Sequence, residues 1–329
     1  MTQTFPEVAR LNILSERRLG DLLRVPSERL AEISLSSPDH YDPFPCSKPL
    51  RPFQTQPVGS PRNIDNPQDD TRWVQNRIYH RLLKPICFPT HIMGAVPKRS
   101  VYDNAHLHLG ANLLVTIDIK GCFPSITNAK VFRVWRDLLG CSPPVAELLT
   151  RLTTFKRYLP QGAPTSPALA NLFIWLIDEP IRAACAEASV TYSTWIDDLA
   201  FSGDKARDLI QTAAATLRSE GLKISRKKVR IMGPTAVKLL TGTRLGRKDV
   251  RAPKDKISRI RSGIHKLRLG LVSVSQQERY INGLVGQLRY IEQLYPADVT
   301  RPSKILASAV KGCHISKQAK KYIAAHAGT

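Results

Sequence analysis

Residues 191–203 read TYSTWIDDLAFSG, two short apolar runs with Asp197 and Asp198 between them. This pattern predicts two strands that meet at residues 196–198, which places the paired acids at the tip of a hairpin. An Asp-Asp pair is most often an ordinary turn dipeptide, so alone it says little about chemistry. Between apolar strands, however, two adjacent ionised carboxylates are costly unless a cation compensates their charge.

A third carboxylate belongs to an earlier segment. ANLLVTIDI (111–119) is rich in β-forming residues and places Asp118 at the end of a predicted strand. Magnesium is a hard cation that prefers oxygen ligands and keeps positions for substrate phosphates. Two such ions, about 3.5–4 Å apart, serve in-line displacement at phosphorus. The three acids together therefore indicate a site for two Mg²⁺ ions.

The segment LPQGAPTSPALANL (159–172) predicts a rigid Pro- and Gly-containing loop. The loop leads into an apolar helix, which is predicted as one element over 166–188. Gly162 would allow a backbone to approach a base or a sugar closely. The alternative is an ordinary loop before a helix capped by Thr165 or Ser166.

The other elements follow from composition and periodicity. Ser27 is a predicted N-cap of a short helix, and residues 36–67, rich in Pro and Ser, predict an extended or looped stretch. Apolar spacing predicts further helices at 70–83, 128–140, 205–220, 256–270 and 276–295.

The charge of the chain is concentrated in its C-terminal third. The 329 residues carry a formal net charge of +22. Residues 223–329 hold 24 Lys and Arg against 5 Asp and Glu, whereas residues 1–222 hold 25 against 22. Phosphate backbones are the usual partner of such a surface, because neutralised phosphates release counterions. A basic tail kept for solubility is the alternative, but the apolar periodicity of this region favours a folded domain.

Cysteine usage and hydropathy bear on the compartment. The six cysteines form no C-x-x-C pair, which favours reduced thiols over a disulfide framework or a zinc site. The N-terminus has no signal-like apolar core, and no apolar run approaches the ~20 residues of a membrane span. We expect a cytoplasmic protein with no membrane contact.

Three segments together resemble the reverse transcriptase family. DIKGCFPSI (118–126) is similar to its first acidic motif, LPQGAPTSPALANL to its substrate-loop motif, and YSTWIDDLAFS (192–202) to its Y-x-D-D hairpin. The resemblance implies an α+β fold, a right-hand polymerase with fingers, an antiparallel-sheet palm and a helical thumb. The implied domains are an N-terminal helical extension (1–45), interleaved fingers and palm (46–235), and a basic helical thumb that binds nucleic acid (236–329).

This resemblance also implies roles for individual residues. The metal ligands are Asp118, Asp197, Asp198 and the backbone carbonyl of Ile119, and Trp195 contacts the primer end.

A second implied group contacts the incoming deoxynucleotide: Arg62 in PRNIDNP (61–67), Phe123, Gln161, Gly162, and Lys228 in GLKISRKKV (221–229). In the family, the aromatic ring at the position of Phe123 lies under the sugar and excludes a 2′-hydroxyl. The alternatives are that Phe123 is simple core and that Arg62 belongs to a solvated face.

More particular features resemble the retron branch of this family. DNAHLHLGANLL (103–114) matches its N-A-x-x-H signature, and KLLTGTRLG (238–246) resembles its V-T-G signature. The residues that these signatures assign to RNA contact are Asn104, His108, Thr241, Gly242 and Arg244. His106 and His108 could also suggest a metal pair, but an H-x-H without further ligands is weak, and a structural or RNA-contacting histidine is favoured.

The retron branch implies a dedicated structured noncoding RNA as template and partner. Synthesis from dNTPs would begin at a 2′-hydroxyl of an RNA guanosine and give a branched RNA–DNA hybrid, msDNA. Retrons commonly serve in anti-phage defence with a separate effector protein.

Two departures from the family pattern leave alternatives open. Trp195 stands where the hairpin motif has tyrosine, and Ile196 replaces the usual alanine. A catalytically impaired RNA-binding scaffold or antitoxin is therefore the first alternative. A group II intron or diversity-generating reverse transcriptase, which shares the core motifs, is the second.

Overall fold

The computed structural model describes residues 10–47, 61–310 and 315–327. It contains two compact units, which divide between Thr235 and Ala236. Six of the seven residues of TQPVGSP (55–61), where the family resemblance implies a turn of the fingers, lie outside the described residues. The assignment of fingers, palm and thumb to these units stays a prediction.

The first unit is mainly helical and contains a four-stranded and a two-stranded sheet. Its helices are α1 (Glu16–Leu23), α2 (Ser27–Ser36), α3 (Asp69–Ile78), α4 (Val101–His106), α5 (Cys122–Ser125), α6 (Asn128–Arg133), α7 (Pro143–Thr153), α8 (Ser166–Ile177), α9 (Glu179–Glu187) and α10 (Leu209–Ser219). Its strands are β1 (Tyr41–Cys46), β2 (Arg62–Pro67), β3 (Leu114–Asp118), β4 (Thr191–Trp195), β5 (Asp198–Ser202) and β6 (Arg230–Met232).

A four-stranded antiparallel sheet in the order β4-β5-β3-β6 forms the centre of this unit. Helix α8 is buried along most of its length, and its apolar side chains belong to the same core as those of β3 and β5. Such burial on all sides explains why the sequence of α8 is apolar without a polar stripe. The predicted α+β class with an antiparallel sheet is confirmed.

The N-terminal helices belong to the same core. The Ser15 hydroxyl caps α1 by accepting from the backbone N–H of Arg18 at 3.2 Å. Helix α2 begins at Ser27, one residue earlier than the predicted cap implied, and Pro26 is its N-cap. The Ser27 hydroxyl donates to the Glu28 carboxylate at 3.1 Å instead of capping the helix.

The predicted loop at 36–67 contains a strand pair. β1 and β2 form an antiparallel ladder from Tyr41↔Pro67 to Cys46↔Arg62. Pro43 and Pro45 in β1 obscured this strand in the sequence, because proline lacks the N–H that a central strand needs. A strand with only one neighbour in its sheet tolerates them.

The single helix predicted over 166–188 is two helices, α8 and α9. The break falls at Asp178, immediately before the Glu179–Pro180 step. Proline has no backbone N–H, so a helix that continued through Pro180 would lose a hydrogen bond, and the proline ring would clash with the preceding turn. The fully buried Asp178 carboxylate accepts from Arg182 Nε at 2.7 Å and lies 2.9 Å from His91 Nε2. At the junction of α8 and α9, Asp178 therefore forms a buried polar connection to the loop that contains His91.

The second unit begins with a small sheet that the predicted helical thumb did not include. Strands β7 (Lys238–Leu240), β8 (Thr243–Leu245) and β9 (Val250–Arg251) pair antiparallel in that order. A two-residue turn with positive φ at Thr241 and Gly242 joins β7 to β8, the backbone that tight hairpins require. Four helices follow: α11 (Lys254–Arg268), α12 (Val274–Leu294), α13 (Pro296–Ala309) and α14 (Lys317–Ala327).

Candidate active site

Strand register brings the three acidic residues of the sequence motifs together. Asp118 ends β3 and pairs across the sheet with Asp198, the first residue of β5. Asp197 lies in the intervening turn, and its backbone carbonyl accepts from the N–H of Ile119 at 2.8 Å. Ile196 takes a φ of 57°, which allows the tight turn between β4 and β5. Two motifs about 80 residues apart in sequence thus meet at one edge of the sheet.

The electrostatics of the site show a surplus of negative charge. Burial, together with the neighbouring Asp197 and Asp118 carboxylates, raises the pKa of Asp198 to about 6. Burial also raises the pKa of Asp197, again with a contribution from Asp118. The buried thiol of Cys122 has a pKa raised by burial and by the nearby Asp197 and Asp118. The shifts of the two acids reflect first their burial and then their repulsion by neighbouring carboxylates, and a positive charge would relieve the repulsive part.

Three basic residues, Lys228, Arg62 and Arg230, partly offset this charge. Lys228 Nζ lies 2.7 Å from Asp118 Oδ2, and its side chain is half exposed. Lys228 and Arg62 both act to lower the pKa of Asp197. Both residues were predicted to contact the incoming nucleotide, and the structure places their charges beside the carboxylates.

The residues present fit a hard divalent cation. The side-chain donors are carboxylate oxygens, and their raised pKa values show mutual repulsion that a cation would relieve. Within the described residues, no three His, Cys, Asp or Glu side chains form a ready-made metal cluster as they stand. The ammonium of Lys228 takes up one oxygen of Asp118 in this arrangement.

Gly162 approaches the protein's own β2, whereas the sequence suggested approach to a base or sugar. A Cβ at Gly162 would meet Ile64 Cγ2 at 2.8 Å, and its φ of 128° disfavours other residues. The carbonyl of Gln161 accepts from the N–H of Asp65 at 2.8 Å. The predicted substrate loop is therefore fastened to β2, the strand that begins with Arg62.

Phe123 lies on the short helix α5, which follows directly on the strand that ends at Asp118. Its ring is partly buried and packs against the core. Both readings of the sequence thus find support in its position, because one part of the ring contacts the core and another remains accessible.

A loop that the sequence reasoning missed supports the acidic hairpin from one side. The N–H of Met93 donates to the carbonyl of Thr194 at 2.8 Å, and the N–H of Thr194 donates to the carbonyl of His91 at 2.7 Å. A Cβ on Gly94 would lie 2.7–2.9 Å from backbone atoms of Trp195 and Ile196. Residues 91–94 therefore act as an additional short strand beside the half-buried Trp195.

Two polar side chains hold this supporting loop. Asn171 Nδ2, on the apolar helix α8, donates to the Gly94 carbonyl at 2.7 Å. The Arg99 guanidinium donates to the carbonyls of Phe88, Pro89 and Ile92. The signal for Asn171 was present in the sequence as a polar residue within an apolar run, because buried amides need partners.

Asn104 and His108 are buried, which removes them from the RNA contact that the sequence predicted. Each is only 1% exposed. His108 Nδ1 lies 2.7 Å from Ser202 Oγ and His108 Nε2 lies 2.8 Å from Ser193 Oγ. The Ser193 hydroxyl donates to Asn104 Oδ1 at 2.7 Å. Their side chains contact Ser193 on β4 and Ser202 on β5, so they support the acidic hairpin instead of making the predicted RNA contact.

The other predicted RNA contacts belong to the second unit. Thr241 and Gly242 form the turn between β7 and β8, where Gly242 is exposed and Thr241 half-buried. Arg244 is half-buried on β8, where it pairs with Leu239 and Arg251. The turn leaves these residues accessible, and their RNA contacts stay predictions.

Comparison with known proteins agrees with this site. Residues 51–244 match the family described as reverse transcriptase (RNA-dependent DNA polymerase). The retron Ec86 reverse transcriptase of Escherichia coli is 32% identical over 224 residues, which cover 66% of this chain and 69% of that protein. The retron Mx162 reverse transcriptase of Myxococcus xanthus is 28% identical over 279 residues, which cover 73% of this chain and 56% of that protein.

Among solved structures, telomerase from Candida albicans in complex with a fragment of telomeric RNA aligns with a TM-score of 0.46 and 10% sequence identity. The alignment covers 91% of this chain and 64% of that one.

The chain belongs to the reverse transcriptase family, the RNA-dependent DNA polymerases, and within it to the retron branch. Its fold class is therefore that of a right-hand polymerase, as the sequence motifs implied. Members of this family generally use divalent metal ions, which agrees with the all-oxygen donor set. Within the described residues, no helix is long and apolar enough to cross a membrane.

Proposed function

We propose that this chain is the RNA-directed DNA polymerase of a retron. It would copy part of a cognate structured noncoding RNA into DNA from a 2′-hydroxyl of an RNA guanosine, which gives the branched RNA–DNA hybrid msDNA. The observation that supports this most is the cross-strand pair of Asp118 and Asp198, with Asp197 in the turn beside it. That pairing gathers the carboxylates of two separate motifs at one end of the sheet.

Asp118, Asp197 and Asp198, with the backbone carbonyl of Ile119, would hold two Mg²⁺ ions. When bound, the ions supply charge that activates the attacking hydroxyl and stabilises the leaving pyrophosphate. The raised pKa values of Asp197 and Asp198 support this proposal, because they measure how unfavourable the uncompensated carboxylates are.

The neighbouring residues would bind and orient the deoxynucleotide. Arg62 and Lys228 carry positive charges that act on the carboxylates and would pair with the triphosphate. Phe123, with part of its ring accessible, would exclude a 2′-hydroxyl. Gln161 and Gly162 would present the loop that β2 holds in place.

Trp195 would pack its aromatic face on the primer end. It lies at the end of β4, where it pairs with Asp198, and the loop around Gly94 supports its backbone. The scaffold alternative, which rests on the departures at Trp195 and Ile196, is tested by the primer-extension assay below.

Template RNA and the product would also contact the basic second unit. α11 carries cations on opposite faces, with Lys256 and Arg259 on one and Arg261 and Arg268 on the other. Charges of this kind bind phosphate backbones without reading sequence. Thr241, Gly242 and Arg244 would add contacts to the RNA. Because retrons commonly serve in anti-phage defence, we propose that this protein acts in such defence in the cytoplasm, together with a separate effector protein.

Replacement of the hairpin acids tests this function. Asp197→Asn and Asp198→Asn each keep the size of the side chain but remove a negative charge that a cation needs. We expect primer extension on a generic RNA template, with dNTPs and Mg²⁺, to fall by about 100-fold or more. Chelation with EDTA should stop the wild-type reaction, and added Mg²⁺ should restore it.

The matched control is Asp21→Asn, which removes one exposed carboxylate on α1 and should leave extension unchanged. If both hairpin variants still extend the primer, the assignment of Asp197 and Asp198 as Mg²⁺ ligands is wrong. A wild-type protein that binds RNA but extends no primer would instead favour the scaffold or antitoxin alternative.

A further inference from the structure

The N-A-x-x-H segment belongs to a chain of four hydrogen-bonded side chains, Asn104, Ser193, His108 and Ser202, whose direction can be assigned. Each serine hydroxyl has one proton to donate. Ser193 donates its proton to Asn104 Oδ1, so its oxygen must accept from His108 Nε2–H. His108 Nδ1 is then the acceptor for the Ser202 hydroxyl at 2.7 Å. The ring is a neutral Nε2–H tautomer with both nitrogens satisfied.

This chain joins the two strands of the acidic hairpin. Ser193 lies on β4 opposite Ala200, and Ser202 lies on β5 opposite Thr191. His108 therefore bridges both strands diagonally, and Asn104 continues the link to α4. The start of α4 is itself held by a capping box between Ser100 and Asp103.

The bridged serines share a sheet face with the reactive groups. Side chains alternate between faces along a strand, so Ser193 and Trp195 on β4 point to the same side. Their cross-strand partners Ala200 and Asp198 point there as well, as does Asp118, the partner of Asp198 on β3. His108 thus contacts the same face of the hairpin that carries the Asp198 carboxylate, a few residues away from the turn at Ile196 and Asp197.

Burial makes this link sensitive to any loss of a partner. His108, Asn104 and Ser193 are each at most 1% exposed, and Ser202 is 4% exposed. A buried polar group without a hydrogen bond is unfavourable, so all four side chains stabilise one relative position of the two strands. Burial also lowers the pKa of His108 to about 4, which keeps the ring neutral near pH 7.

We propose that His108 is a positioning residue for the polymerase reaction, with Ser193, Ser202 and Asn104 as its partners. It acts through the hairpin by holding Trp195 and Asp198 in register with Asp118. This inference rests on the proposed polymerase function, because it assigns the segment to the placement of the reacting carboxylates. It takes the place of a direct contact with RNA.

Amide hydrogen exchange of the full chain, without metal or nucleic acid, tests the proposal apart from activity. In His108→Ala we expect faster exchange confined to peptides that cover residues 191–202. Ser202→Ala removes one hydrogen bond of the ring and should give a smaller increase in the same peptides. Thr153→Val is the matched control, because it deletes a fully buried hydroxyl that bonds within α7 to the Leu149 carbonyl.

Steady-state primer extension gives the second readout. Because displaced reacting groups lower turnover more than binding, kcat of His108→Ala should fall on the order of 10- to 100-fold. KM for dNTP and affinity for a generic RNA stem-loop should stay within about threefold of wild type. Thr153→Val should keep the wild-type kcat at temperatures below its melting point.

Three outcomes overturn the proposal. These are unchanged exchange over 191–202, unchanged kcat in both His108→Ala and Ser202→Ala, or lost stem-loop affinity with kcat intact. The last outcome would return the segment to RNA binding. If His108→Ala does not fold, Ser202→Ala and Ser193→Ala carry the same test. If the wild type is inactive but the variants still show faster exchange over 191–202, the proposed polymerase function is overturned, whereas the role of His108 in holding the two strands together stands.

Discussion

Gly94 shows how closely the acidic hairpin is packed at the residue scale. The nearest atoms to a Cβ at this position would be backbone atoms of Trp195 and Ile196, which cannot rotate away as a side chain could. A methyl group here would therefore push directly on the segment that carries Asp197. No other residue type offers the same approach of two backbones.

The prediction at this scale compares two glycine substitutions. Gly94→Ala should lower the free energy of unfolding by about 1–3 kcal/mol, because overpacking against backbone forces local shifts. Gly283→Ala on α12 meets only open space, so it should raise stability by about 0.5–1 kcal/mol through better helix propensity. Urea unfolding of the two variants and wild type checks both signs. If Gly94→Ala leaves the free energy of unfolding unchanged, the close approach of Gly94 to the backbone of Trp195 and Ile196 is not rigid.

At the scale of elements, the β4–β5 hairpin depends on partners that lie far from it in sequence. His108 and Ser202 are 94 residues apart, and Asn171 and Gly94 are 77 apart. α4 and the loop at 91–94 contact the hairpin, and α8 holds that loop through Asn171. The hairpin can therefore carry Asp197 and Asp198 close to Asp118, because the remainder of the hairpin is held by satisfied buried groups.

The buried histidine predicts a pH dependence of stability. The pKa of His108 is about 4 in the folded protein against 6.5 for an exposed histidine, so between these values the unfolded chain binds more protons. Its contribution to the free energy of unfolding is complete above pH 6.5, falls as the pH drops and is lost by about pH 4. The largest change is about 3 kcal/mol. Urea unfolding at pH 7, 5.5 and 4.5 measures it.

The comparison with His108→Gln isolates this group. Asp198, with a pKa raised to about 6, acts in the opposite direction, because the folded protein then binds the extra proton. The difference in unfolding free energy between wild type and His108→Gln should therefore shrink as the pH falls from 6.5 to 4. A difference that stays constant would contradict the buried neutral ring.

Helix boundaries were harder to predict than helix positions. Apolar content alone suggested one helix over 166–188, whereas Asp178 ends the first helix and a second starts at Glu179. The break positions a buried carboxylate between Arg182 and His91. The sequence Asp178–Glu179–Pro180 in an apolar stretch was the available signal, and its meaning depended on partners that the local pattern does not contain.

For the whole molecule, charge is divided unequally along the chain. The C-terminal third carries most of the excess of basic residues, and the second unit folds as a small sheet followed by helices. Arg261, His265 and Arg268 of α11 line a cavity of about 240 Å³ together with Arg301 of α13. Guanidinium groups around one concavity suit phosphate oxygens, which they bind in pairs.

Salt dependence tests this distribution. For a generic RNA stem-loop, log affinity should fall linearly with log salt concentration, with a slope set by the number of phosphates contacted. Arg261→Gln with Arg268→Gln should reduce that slope by about 2. Arg17→Gln with Arg18→Gln removes two exposed charges from α1 and is the matched control, with little change expected. Equal effects of both pairs would show that net charge alone governs binding.

Local sequence patterns were sufficient to predict the acidic hairpin, the strand that ends at Asp118, the apolar helix after the substrate loop and the concentration of basic charge in the C-terminal third. These features are local, because strand alternation, turn residues and charge are written in neighbouring residues. Family motifs added the polymerase class.

Only the tertiary structure decided which groups meet. It paired Asp118 with Asp198, set Gly162 against β2, placed Gly94 under Trp195 and buried Asn104 and His108. A sequence pattern shows which residues could be polar or exposed, but the segment that covers each of them lies tens of residues away. Burial and hydrogen-bond partners are properties of those distant contacts, and for that reason a signature expected to bind RNA became part of the hairpin's support.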